Sequence, residues 1–160
     1  MGLSAGRSNL IRFVASVAVC EAAGIIGSVF TISAIPGWYA ALQKPWFTPP
    51  NWLFAPVWLS LYFLMGATLY LLWGKRPQSG AALAAFTVQL AFNVAWSVVF
   101  FGAHELFYGF VVIAALWLAI LVTMAFSYRV SRSAAALLVP YIVWVTVASA
   151  LNYYVWVLNA

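Results

Sequence analysis

The run Trp38–Tyr62, WYAALQKPWFTPPNWLFAPVWLSLY, sets four tryptophans (Trp38, Trp46, Trp52, Trp58) among four prolines (Pro45, Pro49, Pro50, Pro56). Proline lacks an amide donor and pushes the residue before it out of the helical region, so Lys44 to Pro50 is expected to be non-helical. A soluble loop would not normally expose so many large rings. An indole, apolar but with one polar N–H, suits the membrane–water interface or a ligand pocket. The run reads as an aromatic lid leading into a membrane helix, and the rest of the chain as the bundle it covers.

Composition points the same way. Of 160 residues, 67% are hydrophobic and 6% charged, with a mean hydropathy of +1.04. A soluble domain carries roughly 25% charged residues, so this chain has too few to cover a globular surface and its outer solvent must be lipid. The net charge of +5 does not indicate a nucleic-acid partner, because the basic residues are spread over the ends of apolar runs. The one cysteine, Cys20, excludes an intramolecular disulfide framework.

Apolar runs divide the chain into five spans at about 13–35, 52–73, 81–101, 106–128 and 134–158, in a single domain covering 1–160, with the lid at 36–51. The first span, at roughly 23 residues and about 34 Å, is long enough for a bilayer core of about 30 Å. It exceeds the apolar region of a cleaved signal peptide, about 7–15 residues. The predicted fold class is therefore all-α, a five-transmembrane-helix bundle with a Trp/Pro-rich loop between helices 1 and 2. Of the seven basic residues, Arg7, Arg12, Lys75, Arg76, Arg129 and Arg132 fall on one side of these spans and only Lys44 on the other. The positive-inside rule then puts the N-terminus in the cytoplasm, and the lid, the turn Gly102–Glu105 and the C-terminus outside.

Three spans carry an inward stripe. Gln89, Asn93 and Ser97 follow at four-residue spacing in span three, with Trp96 beside them. Amides facing lipid would be unsatisfied, so this stripe should face the interior, where helix–helix contact and ligand contact are equally compatible with Asn93. Tyr141, Trp144, Ala148 and Asn152 share a face of span five, and Trp58, Tyr62 and Met65 a face of span two. Flat rings with one or two amides suit a flat, mostly apolar ligand. Glu21, about 13 Å along the helix from Arg12, is the only acid inside a span. It reads either as a proton or cation site or as a protonated carboxyl bonded to a neighbouring helix. His104 stands alone in a turn, so no metal site is expected. The spacings Ala81/Ala85 and Ala115/Ala119 would let helices approach closely.

The chain resembles the translocator protein family, also called tryptophan-rich sensory protein or peripheral-type benzodiazepine receptor. The resemblance is carried, in order, by WYAALQKPWFTPPNW (Trp38–Trp52), PVWLSLY (Pro56–Tyr62), QLAFNVAW (Gln89–Trp96), FFGA (Phe100–Ala103), PYIVW (Pro140–Trp144) and ALNYYVW (Ala150–Trp156). It implies a multi-pass integral membrane protein, commonly a homodimer, with no required cofactor, binding porphyrin or haem, sterols and benzodiazepine-type drugs as ligands. By the family pattern, the pocket is lined by Trp38, Trp46, Trp58, Tyr62, Asn93, Trp144 and Ala148. Sterol recognition in animal members uses a tyrosine followed by a basic residue. Here Tyr154 is followed by Val157, Leu158 and Asn159 without one, which argues against tight cholesterol binding. The short tail suits a prokaryotic cell membrane better than a mitochondrial one.

The leading reading is a membrane receptor or carrier for flat hydrophobic ligands, tetrapyrroles above all. One alternative is light- and oxygen-dependent porphyrin degradation with Trp46 and Tyr62 as the redox-active candidates. The other is proton-coupled export through Glu21.

Overall fold

The computed structural model describes residues 2–160, with side chains from Gly6 onward. The protein is all-helical: α1 (Gly2–Ala34), α2 (Asn51–Trp73), α3 (Gly80–Ser97), α4 (Leu106–Val130), the short α5 (Arg132–Ala136) and α6 (Val139–Asn159). Five segments are long and apolar enough to cross a bilayer: Gly6–Tyr39, Asn51–Trp73, Gly80–Gly102, Leu106–Val130 and Arg132–Asn159.

The prolines set the boundaries. Pro50 is extended (φ −61°, ψ 143°) and α2 starts immediately after it. Pro56 lies within the second turn of α2, and Pro140 in the first turn of α6, where a missing donor costs least. Pro36 behaves differently from the expectation of a lid beginning there. The helix passes through it by a π-helical turn, Ile35–Tyr39, whose wider ladder accommodates a residue that cannot donate. Trp38 and Tyr39 therefore belong to the end of a helix, and the non-helical lid is confined to residues 42–50. A second π-helical turn, Val98–Gly102, ends the third span. At the opposite side of the bundle, Ser131 caps α5 by accepting the amide of Ala134 at 3.3 Å.

Around the bundle the order is α1, α2, α5–α6, α4, α3 and back to α1. The stripes face inward: Gln89, Asn93 and Ser97 are buried, as are Tyr141, Ala148 and Asn152, and Tyr62 and Met65. Lipid-facing positions carry residues such as Ile25, Val29, Ile32 and Leu118. α1 and α2 approach closely at a position the alanine spacings did not indicate. A Cβ on Gly66 would lie 2.5 Å from the Cα of Val17, so only glycine allows the two backbones to cross there.

The lid is tied to the end of α6. The Gln43 amide donates to Asn159 Oδ1 and the Asn159 amide donates back to the Gln43 carbonyl, each at 2.9 Å. Lys44 Nζ donates to the carbonyls of Ala40 (3.2 Å) and Leu42 (3.0 Å) and lies 4.8 Å from the centre of the Tyr39 ring. Trp38 stacks on His104 with centroids 4.3 Å apart and planes at 12°. Lid, α3–α4 turn and C-terminus thus share one end of the molecule.

Gly66→Ala is expected to force α1 and α2 apart and cost about 1–3 kcal/mol, the usual range for overpacking a tight contact. Thermal unfolding in detergent checks this against Gly80→Ala, whose added methyl meets nothing within 4 Å; equal melting of the two variants would show that the α1–α2 crossing tolerates a side chain.

Candidate functional site

Along α1 and into the π-helical turn that follows it, Glu21, Gly24, Ser28, Thr31 and Ile35 recur at spacings of three and four and so share one face. That face forms one wall of a cavity of about 290 Å³. Phe54, Trp58 and Tyr62 of α2 form the second wall, and Asn93, Trp96 and Ser97 of α3 the third. Tyr39 and Phe101, from the two π-helical turns, also line it. The volume is near the lower end of the range for small-molecule sites, about 300–1,000 Å³. Its mouth is marked by Ile25 and Ile32 of α1 and Leu59 of α2, exposed by 64%, 70% and 60%. All three sit on membrane-spanning helices, so the cavity is open sideways between α1 and α2, and the exposed lining residues Ala55 and Asn51 carry that opening toward the lid end.

One buried hydrogen-bond chain organises the inner wall. The Tyr62 hydroxyl donates to Asn93 Oδ1, and Asn93 Nδ2 donates to the Tyr141 hydroxyl at 2.6 Å. It joins α2, α3 and α6 through side chains that are almost completely buried. Gly24 makes room for it: a Cβ there would sit 2.5 Å from Tyr62 Cε2. Trp58 lies against this chain, with its ring centroid 5.7 Å from Tyr62, 6.0 Å from Trp96 and 6.4 Å from Tyr141. A second interhelical bond runs from Trp96 Nε1 to Asn152 Oδ1, at 3.2 Å.

The seven site residues expected from the sequence divide among several places. Trp58, Tyr62 and Asn93 line the cavity together. Ala148 lines a smaller void of about 20 Å³, which shares Tyr39, Phe54, Trp96 and Phe101 with the main cavity. Trp144 meets Phe54 edge-on at 5.7 Å, and its indole N–H is buried with no hydrogen-bond partner among the described residues. Trp38 packs edge-on against Phe100 at 5.4 Å as well as on His104, which takes a left-handed backbone (φ 60°). Trp46 is 96% exposed and lines neither void, touching Phe47 edge-on. Asn93 acts as glue between helices and as cavity lining at once.

Sequence reasoning missed most of the α1 wall. Gly24, Ser28 and Thr31 carry no obvious chemistry, although their spacing from Glu21 was a readable signal. Tyr141 was placed on an inward stripe, but its bond to Asn93 was not foreseen. Glu21 lines the cavity and has no hydrogen-bond or ion-pair partner among the described residues, so the expected bond to a neighbouring helix is not formed. No group of three or more His, Cys, Asp or Glu able to hold a metal ion occurs among the described residues.

The profile of the TspO/MBR family matches residues 16–157. The chain belongs to this family. It is 43% identical over 153 residues to the tryptophan-rich protein TspO of Archaeoglobus fulgidus, covering 95% of this chain and 99% of that one. It is 40% identical over 135 residues to the human translocator protein, covering 82% and 80%. With the tryptophan-rich sensory protein of Cereibacter sphaeroides it shares 37% identity over 141 residues, 88% and 87% of the two chains. Family membership and the five apolar spans together make it a multi-pass integral membrane protein.

Replacing Asn93 by alanine removes both bonds of the chain and leaves two buried tyrosine hydroxyls in an apolar interior. At about 0.6–2 kcal/mol per interhelical bond, the expected loss is roughly 1–4 kcal/mol. Denaturant titration of the detergent-solubilised protein measures it; a variant as stable as the parent would show that the Tyr62–Asn93–Tyr141 chain is incidental to the bundle.

Proposed function

We propose that this TspO/MBR protein is a membrane receptor or carrier that takes flat, largely apolar molecules from the lipid phase into the cavity between α1, α2 and α3. Tetrapyrroles such as porphyrin and haem are the foremost ligands on this reading, with sterols and benzodiazepine-type drugs as further classes. The observation that carries it is the cavity itself. Six aromatic residues, Tyr39, Phe54, Trp58, Tyr62, Trp96 and Phe101, line a void reached through a lipid-facing mouth. Ring-on-ring contact contributes about 0.5–1.5 kcal/mol per pair beyond area burial, so several contacts suffice for micromolar binding.

The cavity suits one planar ring system more readily than a whole macrocycle, part of which would extend through the mouth. No Lys or Arg lines it, so acidic substituents of a tetrapyrrole would point outward, away from Glu21. On the same reading the N-terminus is cytoplasmic, the membrane that of a prokaryotic cell, and the protein a homodimer.

Titrating protoporphyrin into the detergent-solubilised protein and following tryptophan fluorescence tests the proposal. The Phe54→Ala, Trp58→Ala double variant, which removes two rings that line the cavity, is expected to bind about tenfold or more weakly, the loss of roughly two ring contacts. An unchanged affinity would overturn the site.

A further inference from the structure

Glu21 is the one acidic residue among those that line the cavity. It is partly buried on the α1 wall and has no basic partner among the described residues. A carboxylate in such a place is costly unless a counter-charge joins it.

The rest of the wall has the same polarity. Aromatic faces carry negative electrostatic potential and attract cations, most strongly when desolvated. Several cavity donors are already committed to protein acceptors. Ser28 Oγ donates to the Ile25 carbonyl at 2.8 Å and Thr31 Oγ1 to the Gly27 carbonyl at 3.2 Å. The Tyr62 hydroxyl donates to Asn93, and Trp96 Nε1 to Asn152. The hydroxyl oxygens of Ser28, Thr31 and Tyr62 keep acceptor lone pairs. The cavity therefore combines one carboxylate, a set of hydroxyl acceptors and six aromatic walls, with no Lys, Arg or His lining it. This is the chemistry of an ammonium site.

We propose that the cavity selects planar apolar molecules bearing a protonated amine, with the ring system against Trp58 and the ammonium on Glu21. The inference rests on the reading of this cavity as the ligand site and adds a charge preference to it. Entry through the mouth between Ile25, Ile32 and Leu59 favours amphiphiles that already reside in the bilayer. Glu21 lies on the same α1 face as Gly24 and Ser28, so an amine arriving along that face meets it without crossing the lid.

A matched pair of probes tests this: 1-pyrenemethylamine, cationic at pH 7, and 1-pyrenemethanol, its neutral isostere. Binding to the full chain in phosphatidylcholine nanodiscs is read from tryptophan-to-pyrene energy transfer. The wild-type ratio of ammonium to alcohol affinity is expected to fall about tenfold in Glu21→Gln, the worth of one charge-assisted hydrogen bond. Glu21→Asp, which keeps the charge, should retain most of the preference. Partitioning into lipid is the same for every variant and cancels from the comparison. A ratio that Glu21→Gln leaves within twofold of wild type overturns the charge preference. If Trp58→Ala still weakens both probes in that case, the ligand cavity survives and only the ammonium assignment falls. If neither probe binds the wild type, both readings fall.

Discussion

The structure depends on a single constraint: amides and hydroxyls inside a lipid-solvated bundle must find partners in the protein. The Tyr62–Asn93–Tyr141 chain meets it at the junction of α2, α3 and α6. The bonds fix the rotation of each helix, because only one face of α3 presents Asn93 to both tyrosines. With that rotation set, Trp58 and Trp96 face each other across the interior and Ser97 turns toward α1. The cavity is the space left on the α1 side of this hub, where α1 contributes Gly24, Gly27, Ser28 and Thr31 between its larger residues.

Much of this was legible in the sequence. Apolar run length set the five spans, and four-residue spacing placed Gln89, Asn93 and Ser97 on the buried side of α3, since amides cannot face lipid. Trp58 and Tyr62 were readable from their shared face on span two. The extent of the lid was not, because proline normally ends a helix; at Pro36 the π-helical turn absorbs the missing donor and carries Tyr39 into the cavity wall. Nor was the α1 wall. A glycine reveals its role only once the opposing atom is known, and the partners of Gly24 and Gly66 are a ring and a backbone on another helix. Trp46 shows the converse: a conspicuous residue in a conspicuous motif that stands almost fully exposed beside Phe47.

The position of the mouth gives the lid a different part from that of a simple cover. Its pairing with Asn159 and the stacking of Trp38 on His104 close the end of the bundle. The cavity opens along the gap between α1 and α2, which meet tightly at Val17 and Gly66 and part farther along. On the proposed function, ligands would enter from the bilayer, where apolar molecules concentrate, while the contacts at the lid end hold the bundle together.

The proposed function requires flat apolar ligands to occupy the space between α1, α2 and α3. Photolabelling in nanodiscs with a diazirine-bearing pyrene, followed by peptide mapping, tests that most directly. Adducts on the α1 and α2 segments around Ser28 and Trp58, competed away by unlabelled pyrene, are the predicted result. Adducts confined to the exposed lid around Trp46, or to the outer face of α4, would contradict it.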